Sequence, residues 1–156
     1  MNLFASLFKD AVRKAAIGFL LPALFACNHT SAEQGTGGSG NLAPCPDTPN
    51  CVSSQAKNAS QRVDPILFPR DSASAWSRLR EVIASMKGAR ITEEKVGSLQ
   101  AEFRSALFGF VDDVEFRMAE DAGRIDVRSA SRTGYFDFGV NRRRVEKIRE
   151  RFVQEP

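Results

Sequence analysis

Two alternating runs, at residues 110–118 and 125–132, constrain what this chain can fold into more than any other feature. In the first, Phe110, Val114, Phe116 and Met118 fall on one face, with Asp112 the odd member, while Val111, Asp113, Glu115 and Arg117 fall on the other. This is the pattern of a half-buried strand. The second run repeats it, with Ile125, Val127, Ser129 and Ser131 against Asp126, Arg128, Ala130 and Arg132. Between them, Glu120, Asp121, Ala122 and Gly123 suit a tight turn whose glycine can take the left-handed conformation. Charge selects the register. Arg117 beside Asp126 and Glu115 beside Arg128 are favourable, whereas a slip of two residues sets Glu115 against Asp126. Each cross-strand pair is worth roughly 0.2–1 kcal/mol, so several together decide between registers. The same register sets Asp112 opposite Ser131 on the apolar face, where a carboxylate needs a partner.

Around this hairpin the rest of the domain can be laid out. Residues 52–61 are polar and read as irregular, and residues 63–68 read as a short edge strand, since Pro65 is tolerated only at an edge. Asp71 is placed to cap a helix whose apolar face is Ala75, Trp76, Leu79, Val82, Ile83 and Met86, with Gly88 as its stop. Strands near 89–96 and 98–105 follow, joined around Gly97, and Leu107, Phe108 and Gly109 make the connection into the hairpin. A last helix is expected from Asn141, as N-cap, to Val153, with Val145, Ile148 and Phe152 inward. The expected fold is therefore α+β: one small domain, an antiparallel sheet of four to five strands packed with two helices, in the order β-α-β-β-β-β-α.

The chain of 156 residues has room for one domain, and its beginning is not expected to belong to it. Lys9, Arg13 and Lys14 precede a twelve-residue apolar stretch, 15–26, too short to span a bilayer comfortably and broken by Pro22. Residues 1–26 read as an export signal. Leu24, Phe25, Ala26 and Cys27 resemble a lipobox, with Phe25 unusual at its position, so that Cys27 is the expected lipidation site. A soluble secreted protein cleaved nearby and an uncleaved signal anchor are the alternatives. Asn28 after the cysteine resembles lipoproteins sent to the outer membrane. Residues 27–43 then form a Gly/Ser tether and 44–153 the domain. The expected location is the periplasmic side of a Gram-negative outer membrane.

Cys45 and Cys51 remain, and export places them where a disulfide is the default. A redox pair usually has two intervening residues and a helix start, and a metal site lacks ligands, since the one histidine, His29, lies in the tether. The charge balance follows the same division. Discarding Lys9, Arg13 and Lys14 against Asp10 leaves 19 basic and 18 acidic residues, so the basic character belongs mostly to the signal. Nucleic-acid binding loses its main support.

Several motifs coincide in order with a known family. Cys45-Pro46 and Pro49-Asn50-Cys51-Val52-Ser53-Ser54 come first, then Phe108-Gly109-Phe110-Val111-Asp112-Asp113-Val114-Glu115-Phe116. Arg128-Ser129-Ala130-Ser131-Arg132 and Gly139-Val140-Asn141-Arg142-Arg143-Arg144-Val145 complete the set. Together they resemble the domain of unknown function 1499 family, over residues 44–152. The resemblance implies a small exported or organelle-lumen domain. It brings no activity, catalytic residue or cofactor with it.

Function has to be read from the residues themselves. Arg142, Arg143 and Arg144 open the last helix, where cations cost roughly 0.3–1 kcal/mol each when exposed. Local rules broken in this way tend to mark functional or partnered sites. The candidate binding residues are Asp112, Ser129, Ser131, Arg132, Tyr135, Asn141, Arg142 and Arg143, gathered by the hairpin end and the helix start around a phosphate or carboxylate. The simpler reading is that the arginines only pair with Asp112, Asp113 and Asp137. The expectation is a non-catalytic binding or accessory module of the cell envelope, held to the membrane by lipid on Cys27 and recognising a polar or anionic small molecule or envelope component, with no metal or cofactor. A hydrolase using Asp112 or Asp113 is the alternative. Neighbours on a strand point to opposite faces, however, and no nucleophile elbow or phosphate loop is present. A purely structural envelope protein is the third reading.

Overall fold

A computed structural model describes residues 40–69 and 71–154. The expected export signal, Cys27, His29 and nearly all of the tether lie outside the described residues. The chain runs β1 (Cys51–Ser53), β2 (Ile66–Leu67), α1 (Ser72–Ala84), β3 (Ala89–Lys95), β4 (Ser98–Arg104), β5 (Val111–Ala119), β6 (Arg124–Ser131) and α2 (Val140–Val153). The six strands form one antiparallel sheet in the order β1-β6-β5-β4-β3, with β2 beside β1 on the same edge of β6. The fold is α+β.

The β5–β6 register is the one that charge selects. Glu115 pairs with Arg128, Arg117 with Asp126 and Asp112 with Ser131. The turn closes through a short 3-10 segment, Glu120–Ala122, and Gly123 takes φ 59°. Alternation then sends Leu99, Ala101, Phe103, Val114, Phe116, Ile125 and Val127 to one face, where Leu79, Val82 and Ile83 of α1 and Val145 and Ile148 of α2 cover them. Burying this set is the main favourable term in the fold. The other face carries a ladder of charges. The Arg128 guanidinium donates to Glu115 at 3.0 Å, and Arg132 reaches both Glu102 and Asp113, at 2.5 and 2.7 Å.

Four local expectations are corrected. Val52 and Ser53, expected to be irregular, belong to the strand Cys51–Ser53: three residues are too few to show a period, and it is pairing with β6 that fixes them. The strand expected at 63–68 is only Ile66–Leu67, and Val63 is buried outside it. α1 stops at Ala84 with Ser85 as its cap, and Gly88 serves the entry to β3 instead. Phe110 lies outside β5 and is exposed. Asp71 does cap α1, its carboxylate accepting from the Ser74 backbone N–H at 2.7 Å. That bond, more than any other contact, holds the Asp71 carboxyl below its ordinary range.

Candidate functional site

Asp112, Ser129 and Ser131 all project from the core side of one end of the sheet. A buried carboxylate and two hydroxyls there require partners. α2 supplies them. Arg144 donates to Asp112 Oδ2 at 2.5 Å, to Asn141 Oδ1 at 2.6 Å and to Ser129 Oγ at 3.0 Å, and its guanidinium lies 4.9 Å from the centre of the Phe103 ring. The Asn141 amide nitrogen donates to Asn50 O, Ser131 Oγ and Asp137 Oδ2, all within 3.0 Å. Ser129 Oγ also donates to Asn141 Oδ1 at 2.6 Å. The cluster is closed, with Asp112, Ser129 and Asn141 buried and every one of these groups partnered. It fastens β5 and β6 to α2.

The helix start differs from the expected one. Gly139, with φ 75°, is the N-cap, and Asn141 lies inside the helix. Asp137 does the capping from two residues earlier, accepting from the backbone N–H groups of Gly139 and Asn141 at 2.8 and 2.9 Å. A carboxylate there also offsets the cations of the first turn. Each of those arginines has an acceptor within the protein. Arg142 donates to the carbonyls of Ser60 and Arg62, and Arg143 to that of Phe138. Arg144 takes Asp112, as the simpler reading expects, but Asp137 pairs with no arginine among the described residues and Asp113 pairs with Arg132 instead.

Of the eight candidate residues, four come together: Asp112, Ser129, Ser131 and Asn141. Arg132 does not join them. As the neighbour of Ser131 it points to the opposite face of the sheet, and its two carboxylate partners raise its pKa further. Glu102 is bridged by Arg90 as well as by Arg132, and these two partners, Arg90 foremost, lower its pKa. Arg144, which the simpler reading pairs with a carboxylate, and Asn50 belong to the cluster without being among the eight. Helical spacing held a signal for Arg144, which stands three residues after Asn141 on the side of Val145 and Ile148.

Beside the closed cluster lies an open cleft of about 430 Å³. The disulfide loop forms one wall, with Asp47, Thr48 and Pro49, and Asn58, Ser60 and Gln61 continue it. Tyr135, Phe136 and Arg142 complete the lining. The Cys45–Cys51 disulfide is present, its Cα atoms 5.6 Å apart, and it holds this wall to β1. Gln61 stiffens the loop by donating to the carbonyls of Pro46 and Thr48. No group of three His, Cys, Asp or Glu side chains that could hold a metal ion occurs among the described residues.

A protein-family model described as Protein of unknown function (DUF1499) matches residues 41–152. The chain belongs to the DUF1499 family. No curated protein matches it. The span it shares with DUF1499 begins just before the disulfide loop and ends inside α2. Cluster and cleft are thus both parts of the DUF1499 domain itself.

Proposed function

We propose that this DUF1499 protein is a lipid-anchored, non-catalytic binding module of the cell envelope, and that its ligand enters the cleft beside the disulfide. The signal-like residues 1–26 and the lipobox-like approach to Cys27 support the anchor. A disulfide within the domain agrees with an oxidising compartment. The observation that carries the binding role is the composition of the cleft. Two exposed aromatic residues, Tyr135 and Phe136, line it together with small polar groups, which offers a ligand both an apolar surface and hydrogen-bonding partners.

The ligand this favours is neutral and rich in hydroxyls. Arg142 already gives its guanidinium to two backbone carbonyls, while Asp47 and Asp137 put carboxylates on the walls. An anion would meet two carboxylates there against the single cation of Arg142, which already spends two of its donors on those carbonyls. A saccharide ring instead can lay its C–H face on Tyr135 and offer hydroxyls to Asp47 and Asn58. The test is a thermal scan of the full chain with neutral glycan fragments in one series and phosphate or sulfate in the other, at fixed ionic strength. Ligand at a hundred times its dissociation constant adds about 2.7 kcal/mol, a shift of several degrees. Tyr135→Ala, at an exposed position, should leave the ligand-free melting temperature alone and abolish the shift. Stabilisation by anions alone would reverse the ligand assignment, and no stabilisation in either series would remove the binding role.

A further inference from the structure

Two loops leave the sheet at the same end. The β4–β5 loop enters Val111, and the segment after β6 leaves from Arg132, whose backbone N–H donates to Val111 O at 3.1 Å. Leu107, Phe108 and Phe110 stand on the first loop, and Tyr135, Phe136 and Phe138 on the second, with 54–81% of each residue exposed. The rings pack on each other rather than on the core. Phe108 and Phe110 lie 5.7 Å apart, and Phe136 and Phe138 meet edge to face at 4.9 Å. So much aromatic surface gathered at one end of a small domain marks a contact surface.

Both loops are held in place. Ser105 N donates to Phe110 O at 2.8 Å, Gly109 N to Ser105 O at 3.2 Å and Phe110 N to Ser105 Oγ at 3.0 Å. Asn50 fixes Gly134 from below through its side-chain amide, at 2.5 Å. Phe138 has φ 54°, a backbone conformation that a bulky residue seldom adopts, and it is among the most exposed aromatic residues of those described. Cations sit at the base of the rings: Arg104 donates to Gly109 O and Arg143 to Phe138 O, leaving both guanidinium groups at the surface. Among nearby carboxylates, Asp113 is paired with Arg132 and Asp137 is engaged in the helix cap, while Asp47 stands exposed on the disulfide loop.

We propose that this aromatic end docks the domain onto an anionic bilayer surface, Leu107, Phe108, Phe110 and Phe138 entering the interface and Arg104 and Arg143 meeting lipid phosphates. Phenylalanine and leucine at the headgroup boundary, with arginines alongside, match that environment in both polarity and charge. A second copy fits less well, because a two-fold interface through this end would gather two copies each of Arg104 and Arg143 in one patch. The proposal takes from the anchored reading only the delivery of the chain to a membrane. The twelve residues between Cys27 and Gly40 reach at most on the order of 40 Å, which keeps the domain within touching range of the surface.

Tryptophan quenching tests it, since the chain has one tryptophan, Trp76. In a Trp76→Phe background, Phe108→Trp and Phe138→Trp report on the aromatic end, and Val96→Trp reports on the β3–β4 turn at the opposite end. The full chain purified from membranes is mixed with phosphatidylethanolamine–phosphatidylglycerol vesicles carrying brominated acyl chains. Insertion by roughly 5–10 Å should quench the two reporters at the aromatic end about twofold more than the reporter in the β3–β4 turn, and shift their emission to the blue. Phe110→Trp replaces either aromatic-end reporter that fails to fold by circular dichroism. Equal quenching at both ends overturns the proposal, as does a doubled mass in solution with the two aromatic-end reporters shielded from iodide before lipid is added. Intact mass reads acylation of Cys27 independently. An unacylated chain that still shows the quenching difference keeps the docking surface and removes the anchor.

Discussion

Asn141 has no exposed surface, and each of its side-chain polar atoms is bonded. Next to it, Asp112 and Arg144 have only 10% of their side chains exposed. A buried charge that loses its partner costs far more than the pair is worth intact. Asp112→Ala and Arg144→Ala should therefore each destabilise by about 3–5 kcal/mol in urea unfolding, and the double variant by clearly less than the sum. Additive losses would mean that the two groups do not depend on each other. Half of this cluster could be read in advance. Cross-strand charges place Asp112 opposite Ser131, and a core-side carboxylate calls for a cation. Which cation was hidden, because three successive arginines look alike until the true helix start is known. Arg132 was the opposite failure: the alternation that brings Ser131 inward sends its neighbour out.

The hairpin of β5 and β6 is the most legible element, since its pattern is long and its charges reject the slipped register. β1 is the least legible, being three residues defined by a partner strand far along the chain. The end of α1 shows how a correct observation can be attached to the wrong event. Gly88 is structurally required, but by β4 rather than by the helix. It has φ 78°, its carbonyl accepts from Arg104 N at 2.9 Å, and an added Cβ would run into the Arg104 carbonyl. Gly88→Ala should cost about 1–3 kcal/mol by chemical denaturation. Gly134→Ala is the comparison: its φ of 89° is similarly strained for alanine, yet nothing lies within 4 Å of the added atom. Equal losses in the two variants would show that the backbone angle alone matters and that the approach of β4 does not.

For the molecule as a whole, stability resides in the sheet and the two helices on its core face, and the disulfide clips a loop at one edge. Replacing Cys45 and Cys51 together by alanine should lower stability by about 2.4 kcal/mol, the loop-closure value for so short a ring. Far-UV circular dichroism should keep its shape in that variant. Complete loss of structure would mean that the clip holds the core as well. The edge itself has a further consequence, one of timing. β1 and β2 come first in the chain, yet both lie along β6, the last strand to be made; Cys51 finds its partner only at Ala130. A ribosome delivers the chain from the other end. The opening strands must therefore wait, unpaired, until some four-fifths of the protein has been synthesised. The ring between Cys45 and Cys51 need not wait, being closed by residues only a few positions apart. Closure of that ring does not depend on β6, whereas an N-terminal fragment that stops short of β6 leaves β1 and β2 without their partner strand.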